Sequence, residues 1–246
     1  MAAITLLTLN IHRGFSASGR RPILDGLRVA IASVSADVVC LQEVGGHDPR
    51  SRRHAGWPAA PHYEVLADTL WPQYAYGRNA ACPGGHLGNA LLSKYPIARF
   101  VNHDVSVAGA EPRGVLWCVL DVPGERAPLH VACVHLGLRE SHRQRQLEAL
   151  RRLVDSEIPA DAPLVVAGDF NDWRQRADPI LARCGLHEVF VAATGHPART
   201  FPARWPLLPM DRVYLRDARA ERAQVLSGRP WSHLSDHTPL RVEISI

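Results

Sequence analysis

Four polar side chains able to hold a cation or carry a proton stand just beyond apolar, β-branched runs. Asn10 follows residues 4–9, Glu43 follows 38–41, His135 follows 129–134 and Asp169 follows 164–167. One such residue is an ordinary loop residue. Four of them, closing buried strands, are expected to gather along one sheet edge, where open α/β folds bind their ligands. In Gly168-Asp169-Phe170-Asn171-Asp172 the acid and the amide are two apart, so an extended backbone turns both to one side and Phe170 into the core. Gly168 permits a close backbone approach just before the acid. The plain alternative is a polar turn, which Asp and Asn favour. In Ser235-Asp236-His237-Thr238-Pro239 a carboxylate and an imidazole adjoin, and each can serve a different partner, a metal and a phosphate oxygen or proton. Asp211, opening Asp211-Arg212-Val213-Tyr214-Leu215, is a carboxylate that can hold a histidine ring nitrogen and fix its tautomer. Arg113, in Pro112-Arg113-Gly114 before a strand-like run, is by chemistry a phosphate clamp or else a solvated arginine.

These residues need a frame. Apolar runs of strand length occur at 4–9, 38–41, 90–92, 115–122, 129–134, 164–167, 212–215 and 240–244. Helical periodicity appears over 22–34, with Ile23, Leu27, Ala30 and Val34 on one face, and over 142–154, with Leu147, Leu150 and Val154. Strands interleaved with helices make an α/β or α+β domain. With 246 residues, 46% hydrophobic and 21% charged, and no internal repeat or low-complexity tract, we expect one globular domain over 1–246, with 45–62 as an excursion loop.

Several classes of function are excluded. No apolar run approaches the length of a membrane span, and the first ten residues lack a signal peptide's basic start and cleavage site, so a cytoplasmic location is expected. The five cysteines show no C-x-x-C spacing and mostly sit in apolar runs, which predicts reduced thiols. The only lysine, Lys94, precedes Tyr95, so no Walker phosphate loop exists, and neither H-E-x-x-H nor G-x-S-x-G occurs. The net charge of +4 permits phosphate-rich partners without the basic stripe of a dedicated nucleic-acid binder. His12, His86, His142 and His196 read as loop or surface residues. Arg139, Arg143, Arg145, Arg151 and Arg152 read as a solvated helix face, with Arg139 and Arg143 steering substrate as the sharper alternative. Trp57, Trp71, Trp173, Trp205 and Trp231 offer stacking platforms for bases or anchors for lipid.

The blocks Thr8-Leu9-Asn10-Ile11, Leu41-Gln42-Glu43-Val44, Gly88-Asn89-Ala90-Leu91-Leu92-Ser93, Val134-His135-Leu136, Gly168-Asp169-Phe170-Asn171, Asp211-Arg212-Val213-Tyr214 and Ser235-Asp236-His237 come in one order along nearly the whole chain. In this the sequence resembles the endonuclease/exonuclease/phosphatase superfamily, and the fuller strings Asn10-Ile11-His12-Arg13-Gly14 and His135-Leu136-Gly137-Leu138-Arg139-Glu140 resemble a bacterial branch of it. The resemblance implies a four-layer α/β sandwich, two mixed β-sheets flanked by helices, with the site where strand ends of both sheets meet. It implies Mg²⁺ or Mn²⁺ held chiefly by Glu43, with Asn10 beside it and Asp236 as a further metal-side group. Asp169 would orient or deprotonate the attacking water, Asn171 and His237 would hold phosphoryl oxygens, Asp211 would buttress His237, and His135 would contact the phosphate. In some mechanisms of the family His237 is instead the base. The expected activity is phosphodiester hydrolysis by a monomer. Nucleic acid is slightly favoured over a phospholipid or sphingomyelin-type headgroup, with a phosphomonoester such as an inositol phosphate third. A non-catalytic phosphate-binding module is the rival class. Residues 45–62 and 199–209, with Phe201, Trp205, Leu207 and Leu208, could equally receive a lipid tail, so peripheral membrane contact is compatible with the sequence.

Overall fold

The computed structural model describes residues 3–19, 21–46, 60–67, 70–82 and 85–246. Strand β1 (Ala3–Asn10) leads through helix α1 (Leu24–Val34) into β2 (Val38–Gly45), followed by α2 (His62–Ala67), β3 (Gln73–Cys82) and β4 (Gly85–Ser93). Strands β5 (Ile97–Asp104), β6 (Gly114–Leu120) and β7 (Leu129–His135) precede helix α3 (Glu140–Glu157) and β8 (Leu164–Asp169). After α4 (Asp178–Leu181), β9 (His187–Glu188) and α5 (Val189–Thr194), the chain closes with β10 (Asp211–Arg216), β11 (Arg219–Val225), α6 (Trp231–Leu234) and β12 (Leu240–Ser245).

The strands form two six-stranded mixed sheets, β11-β12-β1-β2-β4-β3 and β5-β6-β7-β8-β10-β9. Each contains one parallel pair, β1 with β2 and β7 with β8, bridged by α1 and α3 because parallel neighbours require a crossover. The remaining pairs are antiparallel, so both sheets carry the same sequence of strand directions around a central parallel pair. The inner faces meet in a core that includes Leu6, Cys40, Leu91, Cys118, Val131 and Val213. On the outer faces Leu27 and Ile31 cover Leu7, Leu9 and Val39, while Leu147, Leu150 and Val154 cover Ala132, Val134 and Val166. The layering is the α/β/β/α sandwich expected. Among the described residues no helix is long and apolar enough to cross a membrane.

All eight apolar runs fall on strands, and both helical patterns fall on helices. The four strands without a sequence signal, β3, β5, β9 and β11, are the four sheet edges. Arg219, Glu221 and Arg222 on β11 face solvent, as edge strands require to avoid pairing with other chains. His86, expected in a loop or on the surface, is half-buried in β4, where its Nδ1 is 2.9 Å from the Tyr76 hydroxyl. Arg143, expected on a solvated face, is 1% exposed, because the turn before α3 folds back over it. Cys40, Cys118, Cys133 and Cys184 are buried and free. The Cys82 side chain, Trp57 and most of 45–62 lie outside the described residues.

Gly168 shows how closely the central strands are fitted. Its φ is +145°, and a Cβ there would fall 2.0 Å from the backbone oxygen of Val134 on the neighbouring strand. Backbone of a central strand cannot retreat, so Gly168→Ala should cost on the order of 3 kcal/mol. That predicts a Tm roughly 6–12 °C below wild type by calorimetry.

Candidate active site

The two parallel pairs end at the same edge of the sandwich, and their carboxyl ends supply the polar residues. Asn10 is the last residue of β1, His135 of β7 and Asp169 of β8, and Asp211 opens β10 directly across from Asp169. Glu43 arrives by a β-bulge. The pairing of β2 with β4 steps from Leu41 opposite Ala90 to Val44 opposite Gly88, and Glu43 adopts φ +55°. Bulges re-aim side chains. Here Gln42 turns inward, its Nε2 donating to Thr8 Oγ1 at 3.2 Å, while Glu43 keeps access to solvent.

Asp169, 1% exposed, is the hub. Its Oδ2 accepts from Asn10 Nδ2 at 3.0 Å and faces His135 Nε2 at 3.5 Å and His237 Nε2 at 3.8 Å. Its Oδ1 accepts the backbone N–H of Asn171 at 2.9 Å. His237 Nδ1 donates to Asp211 Oδ2 at 2.8 Å, which fixes the ring, and Phe201 packs on that ring at 5.1 Å. Ser235 Oγ donates to the Asn10 carbonyl at 2.6 Å and accepts the His237 N–H at 3.3 Å, so the last loop is tied to the end of β1.

Electrostatics separate the titratable groups. Burial pushes Asp169 up to about 7, against the pull of the His237 charge. His237 is opposed by its own burial, but Asp211 and Asp169 outweigh this and lift it to about 10. His135 is pushed well down, first by burial and then by Arg113, His237 and Arg13. One imidazole is therefore charged at neutral pH and the other is neutral.

Asn171 differs from expectation. It has φ +51° instead of an extended backbone, its N–H bonds back to Asp169, and its Nδ2 donates to Leu136 O at 3.0 Å. Asn and Asp tolerate this left-handed conformation and bond locally, so a turn prevails while Phe170 still enters the core. Arg113 is 9% exposed, pairs with Glu111 at 2.9 Å and lines a narrow cleft with Glu43, Asn79, Asn89 and His135. It is not a solvated arginine. Asp236 Oδ1 lies 3.3 Å from Ser235 Oγ and 4.0 Å from His12 Nδ1.

Sequence inspection did not single out Arg13 or Glu111. Arg13 Nε lies 3.4 Å from Glu43 Oε2, brought there by consecutive left-handed residues His12 and Arg13 that no periodicity reveals. Glu111, two residues from Arg113, accepts from its guanidinium and lines the same cleft.

Glu43 and Asp236 are each hard oxygen donors with partial access to solvent, the kind of ligand that Mg²⁺ or Mn²⁺ takes. Asn10 turns its Nδ2 toward Glu43 and Asp169, at 3.5 and 3.0 Å, while its Oδ1 accepts the His12 N–H at 3.0 Å, so Asn10 would ligate an ion beside Glu43 only with its amide turned over. Asp169, Asp211 and His237 are a second group close enough to share an ion, their ligand atoms within 4.8 Å of one another. The 2.8 Å bond from His237 Nδ1 already engages Asp211 there, which suits a hydrogen-bonded relay.

Comparison with known proteins agrees with this architecture. The chain is 54% identical over 243 residues, 98% of its length and 96% of the other's, to the uncharacterised protein YbhP of Escherichia coli strain K12. An endonuclease/exonuclease/phosphatase of Beutenbergia cavernae superposes with a TM-score of 0.79 at 19% identity, over 100% of this chain and 72% of that one. D. rerio TDP2 complexed with a single-strand DNA product gives 0.72 at 18% identity over 100% of both chains. The model of the Endonuclease/Exonuclease/phosphatase family matches residues 7–237, and the chain belongs to that family, whose members hydrolyse phosphoester bonds and generally depend on divalent metals.

Proposed function

We propose that this chain is a divalent-metal-dependent phosphodiesterase, with residues 1–246 acting as one catalytic domain and as a monomer. The observation that carries the reading is the convergence of Asn10 Nδ2, His135 Nε2 and His237 Nε2 on one buried oxygen of Asp169. Such a pocket suits a water beside an acid and a phosphoryl group among neutral and cationic donors.

In this reading Asp169 orients the attacking water and takes its proton. His237, charged and held by Asp211, donates to a phosphoryl oxygen and stabilises the charge that develops there. Its raised pKa supports this role over that of general base, because an imidazolium has no free pair to accept a proton. His135, neutral, contributes an uncharged hydrogen bond. Asn171 holds Asp169 through its N–H and reaches a phosphoryl oxygen only by releasing Leu136. Arg113, beside Glu43 and His135, clamps the phosphate from the other wall, and Glu111 keeps its guanidinium in place. Glu43, with Asp236, holds Mg²⁺ or Mn²⁺, which when bound polarises the phosphoryl group.

Nucleic acid is the first substrate in this reading, supported by the basic balance of the chain and by the DNA product bound to the similarly folded TDP2. A phospholipid or sphingomyelin-type headgroup is the second, favoured by the exposed Trp205 and Leu207 beside the site. The purified protein should hydrolyse an activated aryl phosphodiester with Mg²⁺ or Mn²⁺ and stop when EDTA is added. No turnover with either ion would favour a phosphate-binding module. A panel of single-stranded DNA, duplex DNA, RNA, sphingomyelin, glycerophospholipids and inositol phosphates then ranks substrates, and cleavage confined to lipids would reject nucleic acid.

A further inference from the structure

We infer that the loop edge around the catalytic cluster is a docking surface for an anionic phospholipid bilayer. Nine large apolar side chains are exposed among the described residues, and five of them, Leu138, Trp173, Trp205, Leu207 and Leu208, lie on three loops at this edge. Trp205 is 75% exposed, Leu138 65% and Leu207 64%. Clusters of this kind mark interaction sites, whereas single exposed apolar residues are ordinary.

The loops are built to present these side chains. In residues 199–209 the N–H groups of Thr200 and Phe201 donate to Leu208 O at 3.0 and 3.1 Å. Leu207 and Leu208 donate back to Phe201 O, both at 2.8 Å. The closed hairpin is pinned beside the cluster by the Ala203 N–H to Asp236 O at 2.7 Å. On the other side of Asp169 the buried Arg143 guanidinium lies 4.7 Å from the centre of the Trp173 ring and donates to the carbonyls of Gly137 and Leu138. One cation thus holds Trp173 and the Leu138 turn together as a single ledge. Their exposure is not the by-product of slack loops.

Charge identifies the occupant. The segments 136–139, 170–177 and 199–209 carry Arg139, Arg174, Arg176, Arg199 and Arg204, all exposed, and their only acid, Asp172, is 0% exposed. Glu140, the next residue after the first segment, pairs with Arg174 at 2.9 Å and lies 3.9 Å from Arg176, so the surplus positive charge rests on Arg139, Arg199 and Arg204. Apolar tips flanked by arginines suit insertion at the boundary of headgroup and acyl chain, with the guanidinium groups at lipid phosphates. Trp173 and Trp205 have faces on which bases could stack, but Leu138, Leu207 and Leu208, the other three of the five, have none and suit an acyl boundary instead. A bilayer seated here brings headgroup phosphates toward Asp169 and His237. This deepens the lipid-headgroup reading of the site, although docking itself needs no catalysis.

The test is co-sedimentation of the full chain with phosphatidylcholine vesicles with and without phosphatidylglycerol, in EDTA so that no turnover intervenes. Wild type should bind the anionic vesicles and release them as salt rises. Trp205→Ser/Leu207→Ser should bind at least about tenfold more weakly, and Phe100→Ser, on the β5 edge strand, should bind as wild type does. Should the double variant melt early, Leu138→Ser on the other ledge gives the same reading with less change. Asp169→Asn should still bind, so a failure of the catalytic assignment leaves this result standing. Equal sedimentation with and without vesicles would overturn the proposal. So would a double variant that binds normally, a wild-type dimer that the substitutions dissociate, or loss of single-stranded DNA binding in a variant whose parent ignores vesicles.

Discussion

Asp169→Asn should lower phosphodiester turnover by roughly 10²–10⁴-fold while the protein stays folded. The substitution keeps shape and volume, and the amide oxygen can still accept the Asn171 N–H that now meets Oδ1 at 2.9 Å. What disappears is the basic oxygen on which Asn10, His135 and His237 converge. Metal affinity should stay near wild type, because the carboxylates assigned to the ion are Glu43 and Asp236. The measurement is kcat and KM together with a melting curve. A variant that keeps wild-type kcat would remove Asp169 from the mechanism. The comparison variant at His237 is Gln, since Ala would strand Asp211, 1% exposed, without its hydrogen-bond donor.

The same assignment carries a pH signature. The working form has Asp169 ionised and His237 protonated. Turnover should therefore rise with pH through about 7, as Asp169 loses its proton. It should fall as pH passes about 10, when His237 loses its own. A bound divalent cation favours the carboxylate, so rising Mg²⁺ should move the acid limb to lower pH. In Asp169→Asn the residual rate should lack the acid limb altogether. Persistence of that limb unchanged would assign it to another group.

How much of this was legible in the sequence follows from burial. Strands β1, β2, β7 and β8 are covered on both faces, so each is a continuous apolar run whose polar terminator stands out. Asn10, Glu43, His135 and Asp169 are visible for that reason, and the structure brings Asn10 and His135 to 3.0 and 3.5 Å from Asp169 and Glu43 to 3.5 Å from Asn10. The edge strands have a solvent face and no such run. Backbone geometry was equally silent: the bulge at Gln42–Glu43 and the left-handed His12, Arg13 and Asn171 leave no periodic trace, yet they decide where those side chains point. Arg143 departs from the solvated face its spacing predicts, because helical spacing records only which residues share a helix face. It cannot record that the preceding turn folds over the first turn of α3.

Glu43→Ala should weaken metal binding by at least about 100-fold and leave the fold nearly unchanged. The bulge and its φ of +55° turn Glu43 into the polar cleft, where its carboxylate contacts Asn10 and Arg13 and not the apolar core. One of its oxygens is 3.5 Å from Asn10 Nδ2, which orients it, and the other is 3.4 Å from Arg13 Nε. A cation at this carboxylate must share it with the Arg13 charge or displace it, so Arg13→Ala should shift affinity the opposite way, toward tighter binding. Calorimetric titration with Mn²⁺ measures both variants without substrate. At low metal Glu43→Ala should be nearly inactive, and at high metal it should recover part of its turnover, because Asp169 and His237 are intact. The rival site is the buried group of Asp169, Asp211 and His237. If Glu43→Ala binds Mn²⁺ as wild type does and Asp211→Asn abolishes binding, the ion belongs to that buried group, and Glu43 serves only to hold Arg13.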